Sequence, residues 1–546
     1  MSGVRRPADR SLADWLTLAL PCIVGLLLLR LVWGFALAED AYIFLRYSSH
    51  LASGHGIVWN VGEPPVEGST SFLHMVLVAL GIYCGIMPEV AAKLVGAGSL
   101  LAAILVMAIW LPKLGVGRFP AAVAATALAC SPVASLAAMG FDTPLAVLWS
   151  TVFAISLGAL LMQTQEGVAG AERETRWQRV LVLCLSGLLL SLTRPDCAIM
   201  ATIGFLVFLA ATKTRAQTLC VVALAFVLPG VIYFAWRWSY FGDLLPNTFY
   251  VKHGGSFVHV KPMARGLQFF SILCAPLLAI VANWATRNAQ NARTALRLSL
   301  PWIGFLLAFV LISDEQNILF RFQMPALPFV LASFALAWRD SSEGRSDNQA
   351  GSDQRESSMT LRVGSAIVCC ATAAFISLFP ITVCRPVQPF VAGPSYAVGH
   401  ALSRLADQGY GIMVTEAGAL PFYSKWRTLD AHGLNDRVIA KQGLSETYVD
   451  EFRPDVIEFH VYSSVYSPDE PWQPDWPEWD RMTKWMFMYA KSRGYREVAV
   501  FRRSENAEDY DWYFARPACP DYAKIVTEVS NLRGVIYERR LASPPQ

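Results

Sequence analysis

Apolar segments long enough to cross a lipid bilayer recur along most of the chain, and they limit its fold more than any other feature. A membrane-spanning helix needs about 20 largely apolar residues. Such segments, some of them shorter, occupy residues 14–37, 90–112, 119–138, 144–162, 178–193, 196–212, 216–238, 267–285, 299–313, 322–338 and 362–384. With 54% hydrophobic and 16% charged residues, the sequence predicts a polytopic α-helical membrane protein with about 11 transmembrane helices.

The distribution of Lys and Arg predicts the orientation, because basic loops stay on the cytoplasmic side. A cytoplasmic N-terminus puts most basic clusters inside, provided that residues 70–87 form an interfacial or re-entrant helix on the outer side. If that segment crossed, Lys113 and Arg118 would lie outside, against the charge rule. We therefore expect a set of unusual loops to share the outer face, namely 39–69, 140–144, 193–196, 239–266, 313–321 and everything after residue 384.

The last part of the chain has a different character. Short hydrophobic runs alternate there with polar residues, and "GIMVTEAGA", "DVIEFHVYS" and "EVAVFRR" are typical of strands separated by turns. About 160 residues are enough for one small domain. The sequence thus predicts a transmembrane domain over residues 1–384 and an extracytoplasmic α/β domain over residues 385–546.

The first outer loop, "AEDAYIFLRYSSHLASGHGIVWNVGE", begins with two carboxylates, Glu39 and Asp40. A carboxylate at the membrane exit can act as a general base towards a sugar hydroxyl, or it can be merely a charged helix end. Position alone does not decide between these roles. Polar, aromatic and glycine-rich stretches follow, and they make four further residues candidates for substrate binding: Tyr42, Arg46, Asn60 and Glu67.

Two short turns between apolar segments carry further charges. Asp142 lies in "GFDTP", and Arg194 and Asp196 lie in "TRPD". Charges at the edge of a membrane are costly and therefore indicate function. Arg194 and Asp196 can equally well pair with each other and cap helices, so both interpretations stay open.

Cationic residues in two other outer loops suit a phosphate group. The loop 239–266 contains Asn247, Lys252 and His253, and Arg321 follows an acidic stretch in another outer turn. Lys and Arg are common phosphate-binding residues. Lys252, His253, Arg194 and Arg321 are thus candidates for binding a phosphate, and Asn247 and the two aspartates Asp142 and Asp196 for binding the rest of a substrate.

Several function classes lack support in the sequence. We find no Walker motif, GxSxG, HExxH or dinucleotide fingerprint in a credible context. The net charge of +3 is small and dispersed, so nucleic acid is not an expected partner. The cysteines show no metal-binding spacing, whereas the acidic loop residues are of a type that binds divalent cations, so metal dependence is open.

The motifs together resemble those of the C-type (GT-C) membrane glycosyltransferases, in particular the mycobacterial terminal β-(1→2)-arabinofuranosyltransferase family. The resemblance runs in order through residues 39–440, and its parts are "EDAYIFLRYSSHLASGHGIVWNVGE", "VEGSTSFL", "GFDTP", "TRPD", "FGDLLPNTFYVK", "FRFQMPALP" and "EAGALPFYS…LDAHGLND". The chain departs from the usual pattern at Glu39, where Asp is commoner, and at Asp142 and Asp196, where Glu is commoner.

The resemblance implies an inverting transferase on the outer face of the bacterial cytoplasmic membrane. Its donor would be a polyprenyl-phosphate-linked sugar such as arabinofuranose, and its acceptor an extracytoplasmic glycan, lipid or protein. Asp40 would be the catalytic base, and Glu39 beside it would be the second catalytic carboxylate of the acidic pair. Two other functions remain as alternatives: a transporter or flippase of lipid-linked sugars, and a non-catalytic protein of envelope assembly.

Overall fold

Helices make up the first part of the protein, and a mixed α/β unit follows them. The computed structural model describes residues 12–166, 173–252, 289–310, 317–337, 339, 393–472, 476–503 and 508–541. The helices before residue 340, numbered α1 to α14 in chain order, are Leu12–Val32, Glu39–Ala52, Phe72–Tyr83, Pro88–Lys113, Arg118–Ala129, Val133–Ala138, Thr143–Glu166, Arg173–Thr193, Ala198–Ala211, Arg215–Val222, Leu228–Phe241, Asn247–Lys252, Ala289–Val310 and Leu327–Ala337.

Four helical segments among the described residues are long and apolar enough to cross a membrane. They are Pro88–Lys113, Thr143–Thr164, Arg215–Phe241 and Ile318–Ala337. The third of these joins α10 to α11 through a π-helical turn at Ala223–Val227. The spans predicted at 267–285 and 362–384 lie outside the described residues, so the predicted number of about 11 crossings stays a prediction.

Helix α3 covers most of the segment that we expected not to cross the membrane. It contains 12 residues, which corresponds to a length of about 18 Å. The hydrocarbon core of a bilayer is about 30 Å thick. Helix α5, which lies in a segment predicted to cross, has the same number of residues, so the location of α3 at the membrane surface stays a prediction.

Small residues allow the membrane helices to approach one another closely, as is typical of helix packing in lipid. The Phe153 ring of α7 lies against Gly204 of α9 and Gly187 of α8, where an added Cβ would have no room. Gly96 of α4 lies similarly close to the backbone of Ala137 in α6. The bundle is therefore held together by close packing around a few glycines.

The second part contains a six-stranded sheet. Its strands, β1 to β6 in chain order, are Gly411–Val414, Arg427–Asp430, Val456–Val461, Arg496–Arg502, Tyr510–Ala515 and Ile536–Arg540. They are arranged in the order β2-β1-β3-β5-β4-β6. The pairs of β1 with β2 and β3 are parallel, and the remaining pairs are antiparallel.

The helices around this sheet complete a small α/β domain, which confirms the predicted architecture of the C-terminal part. These helices, α15 to α20, are Pro394–Leu402, Ala419–Ser424, Arg437–Gln442, Glu446–Phe452, Pro477–Ser492 and Tyr522–Ser530. The three strands predicted from sequence correspond to β1, β3 and β4, whereas β2, β5 and β6 were not predicted. The boundary predicted between residues 384 and 385 lies outside the described residues.

Hydrogen bonds of Arg46 in α2 link the loop segment 39–69 to the α/β domain that contains β1 to β6 (the sheet domain). Its Nε donates to the Trp59 carbonyl at 2.8 Å, and Nη2 donates to Asn60 Oδ1 at 3.1 Å. The carbonyls of Trp426 and Pro421, both in the sheet domain, accept further bonds. Burial lowers the pKa of Arg46 to about 10, which leaves it charged at neutral pH.

Replacing Arg46 by Ala should destabilise the protein by about 2–4 kcal/mol, because the four carbonyl and amide oxygens would lose a charged donor inside the protein. The measurement is the apparent melting temperature in detergent. Arg404 is the matched control, since its side chain is 71% exposed and pairs with Glu528 at the surface. Arg404→Ala should change the stability of the protein by less than about 1 kcal/mol. Equal losses of stability in the two variants would contradict the proposed role of Arg46 in linking the loop to the sheet domain.

Candidate active site

Asp40 lies in the first turn of α2, where a carboxylate is favoured by the helix dipole. Its Oδ2 accepts a hydrogen bond from Arg321 Nη2 at 2.8 Å. The two side chains differ in exposure, with 30% for Asp40 and 8% for Arg321. The carboxylate of Asp40 is therefore accessible to a reactant, whereas the guanidinium of Arg321 is buried.

Arg321 is presented by an irregular turn. The preceding residues, Leu319 and Phe320, have φ values of 54° and 55°. Bulky residues rarely adopt this left-handed conformation, and where they do the strain commonly accompanies a functional site. The turn stacks the guanidinium of Arg321 over the rings of Phe141 and Phe322, at 4.4 and 4.8 Å from their centroids.

Arg194 and its acidic partners come from two other outer turns. Nη2 of Arg194 donates to Asp196 Oδ2 at 2.8 Å, and Nη1 lies 3.5 Å from Asp142 Oδ1. The Ser71 hydroxyl is within hydrogen-bonding distance of Asp142 Oδ2 and of the Thr193 carbonyl. Burial by itself would raise the pKa of Asp142, but the positive charge of Arg194 and the other neighbours outweigh it and lower the pKa.

Both arginines contact the same aromatic ring. The guanidinium carbon of Arg194 lies 4.9 Å from the centroid of Phe322, against which Arg321 also packs. In each arginine the Nε–H is buried and has no hydrogen-bond partner within the described part of the chain. A buried N–H without an acceptor costs about 1–3 kcal/mol. The two guanidinium groups thus bring positive charge to one ring.

Asp40, Asp142, Arg194, Asp196 and Arg321 were identified separately in the sequence, and the fold brings them into one cluster. Sequence reasoning missed Phe322, whose ring lies near both guanidinium groups. It also missed His74 of α3, which is fully buried, lies 4.7 Å from the Phe44 ring, and has both ring nitrogens unpartnered among the described residues. A single polar residue in the apolar run "SFLHMVLVALG" was the available signal for His74.

Glu39 has a different environment from its neighbour Asp40. Its Oε1 accepts a hydrogen bond from the Ala419 N–H of the sheet domain at 2.7 Å. Burial, together with the nearby negative charge of Glu416, raises the pKa of Glu39 to about 8. The two adjacent carboxyl groups therefore have separate partners.

Two candidates for substrate binding join the outer loops to other parts of the protein. Glu67 forms a buried ion pair with Arg237 of α11. The Asn247 side chain donates to the Gly433 carbonyl of the sheet domain at 3.0 Å. These contacts favour structural roles for Glu67 and Asn247, and their contact with substrate stays a prediction.

The remaining candidates of the first outer loop also have contacts within the protein. Arg46 and Asn60 belong to the junction with the sheet domain described above. The hydroxyl of Tyr42 lies 3.3 Å from that of Tyr423, in an aromatic cluster between α2 and the sheet domain. A direct role for these three residues in substrate binding stays a prediction.

Helix α12 ends at Lys252, and the Lys252 side chain and His253 lie outside the described residues. Within the described ranges, no group of three or more His, Cys, Asp or Glu side chains could hold a metal ion.

Comparisons with known proteins support the architecture. The family model described as "Domain of unknown function (DUF8728)" matches residues 388–514, which lie in the sheet domain and its approach. No curated protein sequence matches the chain.

Solved structures similar to this chain include ArnT from Cupriavidus metallidurans. The apo form has a TM-score of 0.55 at 14% identity, covering 91% of this chain and 97% of ArnT. The form bound to undecaprenyl phosphate has a TM-score of 0.55 at 15% identity, covering 93% and 99%. The apo oligosaccharyltransferase from Archaeoglobus fulgidus has a TM-score of 0.48 at 11% identity, covering 90% and 74%, which is too low to support an argument. The similarity to ArnT shows that this chain shares the fold of ArnT.

Proposed function

We propose that the protein is a membrane glycosyltransferase that moves a sugar from a polyprenyl-phosphate donor to an extracytoplasmic acceptor. One observation carries the proposal. An accessible carboxylate, Asp40, is paired with Arg321, and this arginine shares an aromatic ring with Arg194. A base and two cations are thus available within one cluster, which is what transfer from a phosphate leaving group requires.

The two arginines suit the phosphate of the donor. Phosphate oxygens accept charge-assisted hydrogen bonds, and the buried Nε–H groups of Arg194 and Arg321 lack acceptors among the described residues. A lipid-linked donor would keep its tail in the bilayer and present its phosphate to these turns at the ends of the membrane helices. The binding of undecaprenyl phosphate by ArnT, whose fold the chain shares, supports this donor class.

Asp40 acts as the general base in the proposed reaction. Its carboxylate takes the proton of an acceptor hydroxyl while that oxygen attacks the anomeric carbon of the donor sugar. The bond between the anomeric carbon and the phosphate oxygen breaks, and the electron pair leaves with the polyprenyl phosphate. Direct displacement inverts the anomeric configuration, and the products are a glycoside, polyprenyl phosphate and protonated Asp40.

The ion pair of Asp40 with Arg321 links the removal of the acceptor's proton to the departure of the polyprenyl phosphate. As Asp40 takes up the proton, it loses the negative charge that Arg321 faces. At the same time the leaving phosphate gains negative charge, which Arg321 and Arg194 can stabilise. Negative charge is thus lost from Asp40 and gained by the phosphate, and the guanidinium of Arg321 has a negatively charged partner throughout the step.

The sequence resemblance supports a finer assignment. We infer that the transferred sugar is arabinofuranose and that the acceptor is a glycan, lipid or protein at the outer face of the bacterial cytoplasmic membrane. In this orientation the N-terminus is cytoplasmic and the sheet domain is extracytoplasmic. The energy comes from the donor's phosphoester bond, so the reaction needs no ATP outside the cell.

Asp40→Asn should lower turnover at least ~100-fold, because general-base catalysis contributes about 10²–10⁴-fold. The assay follows labelled polyprenyl-phosphate sugar in membranes containing the protein. Asp407→Asn, a change at an exposed residue of the sheet domain, is the matched control and should leave turnover intact. Full turnover by Asp40→Asn would refute the role of this base. A flippase would move the labelled donor without consuming it, and an assembly protein would merely bind it.

Arg321→Lys and Arg194→Lys should each raise the donor concentration at half-maximal rate about tenfold or more, because Lys keeps the charge but loses the planar fork and its Nε–H. Steady-state kinetics with varied donor concentration provide the measurement. The surface variant Arg404→Lys serves as the control. If all three variants match the unmodified protein in donor dependence, the phosphate is bound elsewhere.

A further inference from the structure

Gly418 of the sheet domain lies directly against the first residue of α2. A Cβ atom added at Gly418 would overlap the main-chain oxygen and the carboxyl group of Glu39. The main chain of Glu39 and its hydrogen-bonded carboxyl group have little freedom to move away from such a Cβ atom. Any residue larger than glycine must therefore displace Glu39, and with it the start of α2.

The next residue, Ala419, adds a directional contact. Its N–H donates to Glu39 Oε1 at 2.7 Å. Glu39 and Asp40 are consecutive residues in the first turn of α2. Fixing the backbone and side chain of Glu39 therefore fixes the backbone position of Asp40 as well.

A buried ionic network holds this part of the sheet domain in place. Arg503, just after β4, pairs with Glu416, just after β1, and with Asp511 of β5 at 2.9 Å. His460 of β3 lies 3.0 Å from the same Asp511 through Nδ1. Four strands thus support the short connection that leads from Glu416 to Gly418.

We propose that the sheet domain is a positioning element for the catalytic base, and that Gly418 and Ala419 act by holding Glu39 so that Asp40 faces the reacting sugar. The proposal rests on the proposed function, since it takes Asp40 as the base. It makes Glu39 a positioning residue, whereas the resemblance implied a second catalytic carboxylate. Activity then depends on the contact between the two domains.

The environment of Glu39 gives this contact a pH dependence. The titratable and charged groups around it are Tyr42 on its own helix, and Glu416, Arg503 and Asp511 of the sheet domain. With a pKa of about 8, Glu39 is largely protonated at neutral pH and can face Glu416 without repulsion. Its pKa is raised from 4.5, so its contribution to stability is lost as pH rises from that value to about 8. Turnover should fall as Glu39 ionises.

Gly418→Ala should lower kcat by about 10- to 100-fold, because small displacements of a catalytic group have effects of this size. The KM for the donor should change little, since Arg194 and Arg321 are untouched. Gly393→Ala is the matched control: its added Cβ would meet no atom within 4 Å. Equal kcat values for the two variants, both confirmed as folded by their melting temperatures, would overturn the proposal.

A second pair of variants keeps the test decisive if Gly418→Ala fails to fold. Gln at position 39 can still accept the bond from Ala419, so Glu39→Gln should turn over at least about tenfold faster than Glu39→Ala. Glu39→Gln should also lack the decline around pH 8. A catalytic carboxylate at this position would leave both variants equally inactive, and that result would overturn the positioning role.

Asp40→Asn, measured in the same membranes, separates this inference from the proposed function. If Asp40→Asn is active, the proposed function itself fails. If Asp40→Asn is inactive while Gly418→Ala and Glu39→Ala behave like the unmodified protein, the base is correct and the positioning role of the sheet domain is wrong.

Discussion

The ion pair between Asp40 and Arg321 joins parts of the chain that are 281 residues apart, and the geometry of the candidate site depends on it. One partner begins the first outer helix, and the other ends a strained turn before α14. Because Arg321 also stacks on Phe141 and Phe322, the pair brings the start of α2, the turn before α7 and the turn before α14 to one place. Arg194 then reaches the same ring from a third turn.

Burial of the guanidinium groups of Arg194 and Arg321 costs free energy, and contacts among the described residues offset only part of it. Removing an ion from water costs several kcal/mol even after relaxation. Carboxylates and aromatic rings compensate much of this, yet the Nε–H of each arginine is left without an acceptor among the described residues. A bound phosphate, as the proposed function requires, would bring further acceptors to this cluster.

Local sequence patterns located the long apolar helices among the described residues, because the length of an apolar run is set by the membrane, but they missed α2, which lies in the segment 39–69 that was predicted as a loop. They predicted the sheet less completely. Strand β5, "YDWYFA", pairs on both sides and is buried throughout, so it lacks the alternation that marks a half-exposed strand. Strands β2 and β6 are only four and five residues long. Such runs cannot be told from turns by periodicity alone.

The adjacent carboxylates illustrate what a linear pattern cannot determine. Consecutive side chains of a helix point about 100° apart, so the side chains of Glu39 and Asp40 have different surroundings. The identity of those surroundings depended on residues far away in the chain, namely Ala419 for Glu39 and Arg321 for Asp40. The sequence motif therefore identified the acidic pair, whereas the different partners of its two carboxylates follow from tertiary contacts, because Asp40 pairs with Arg321 and Glu39 accepts a hydrogen bond from the sheet domain.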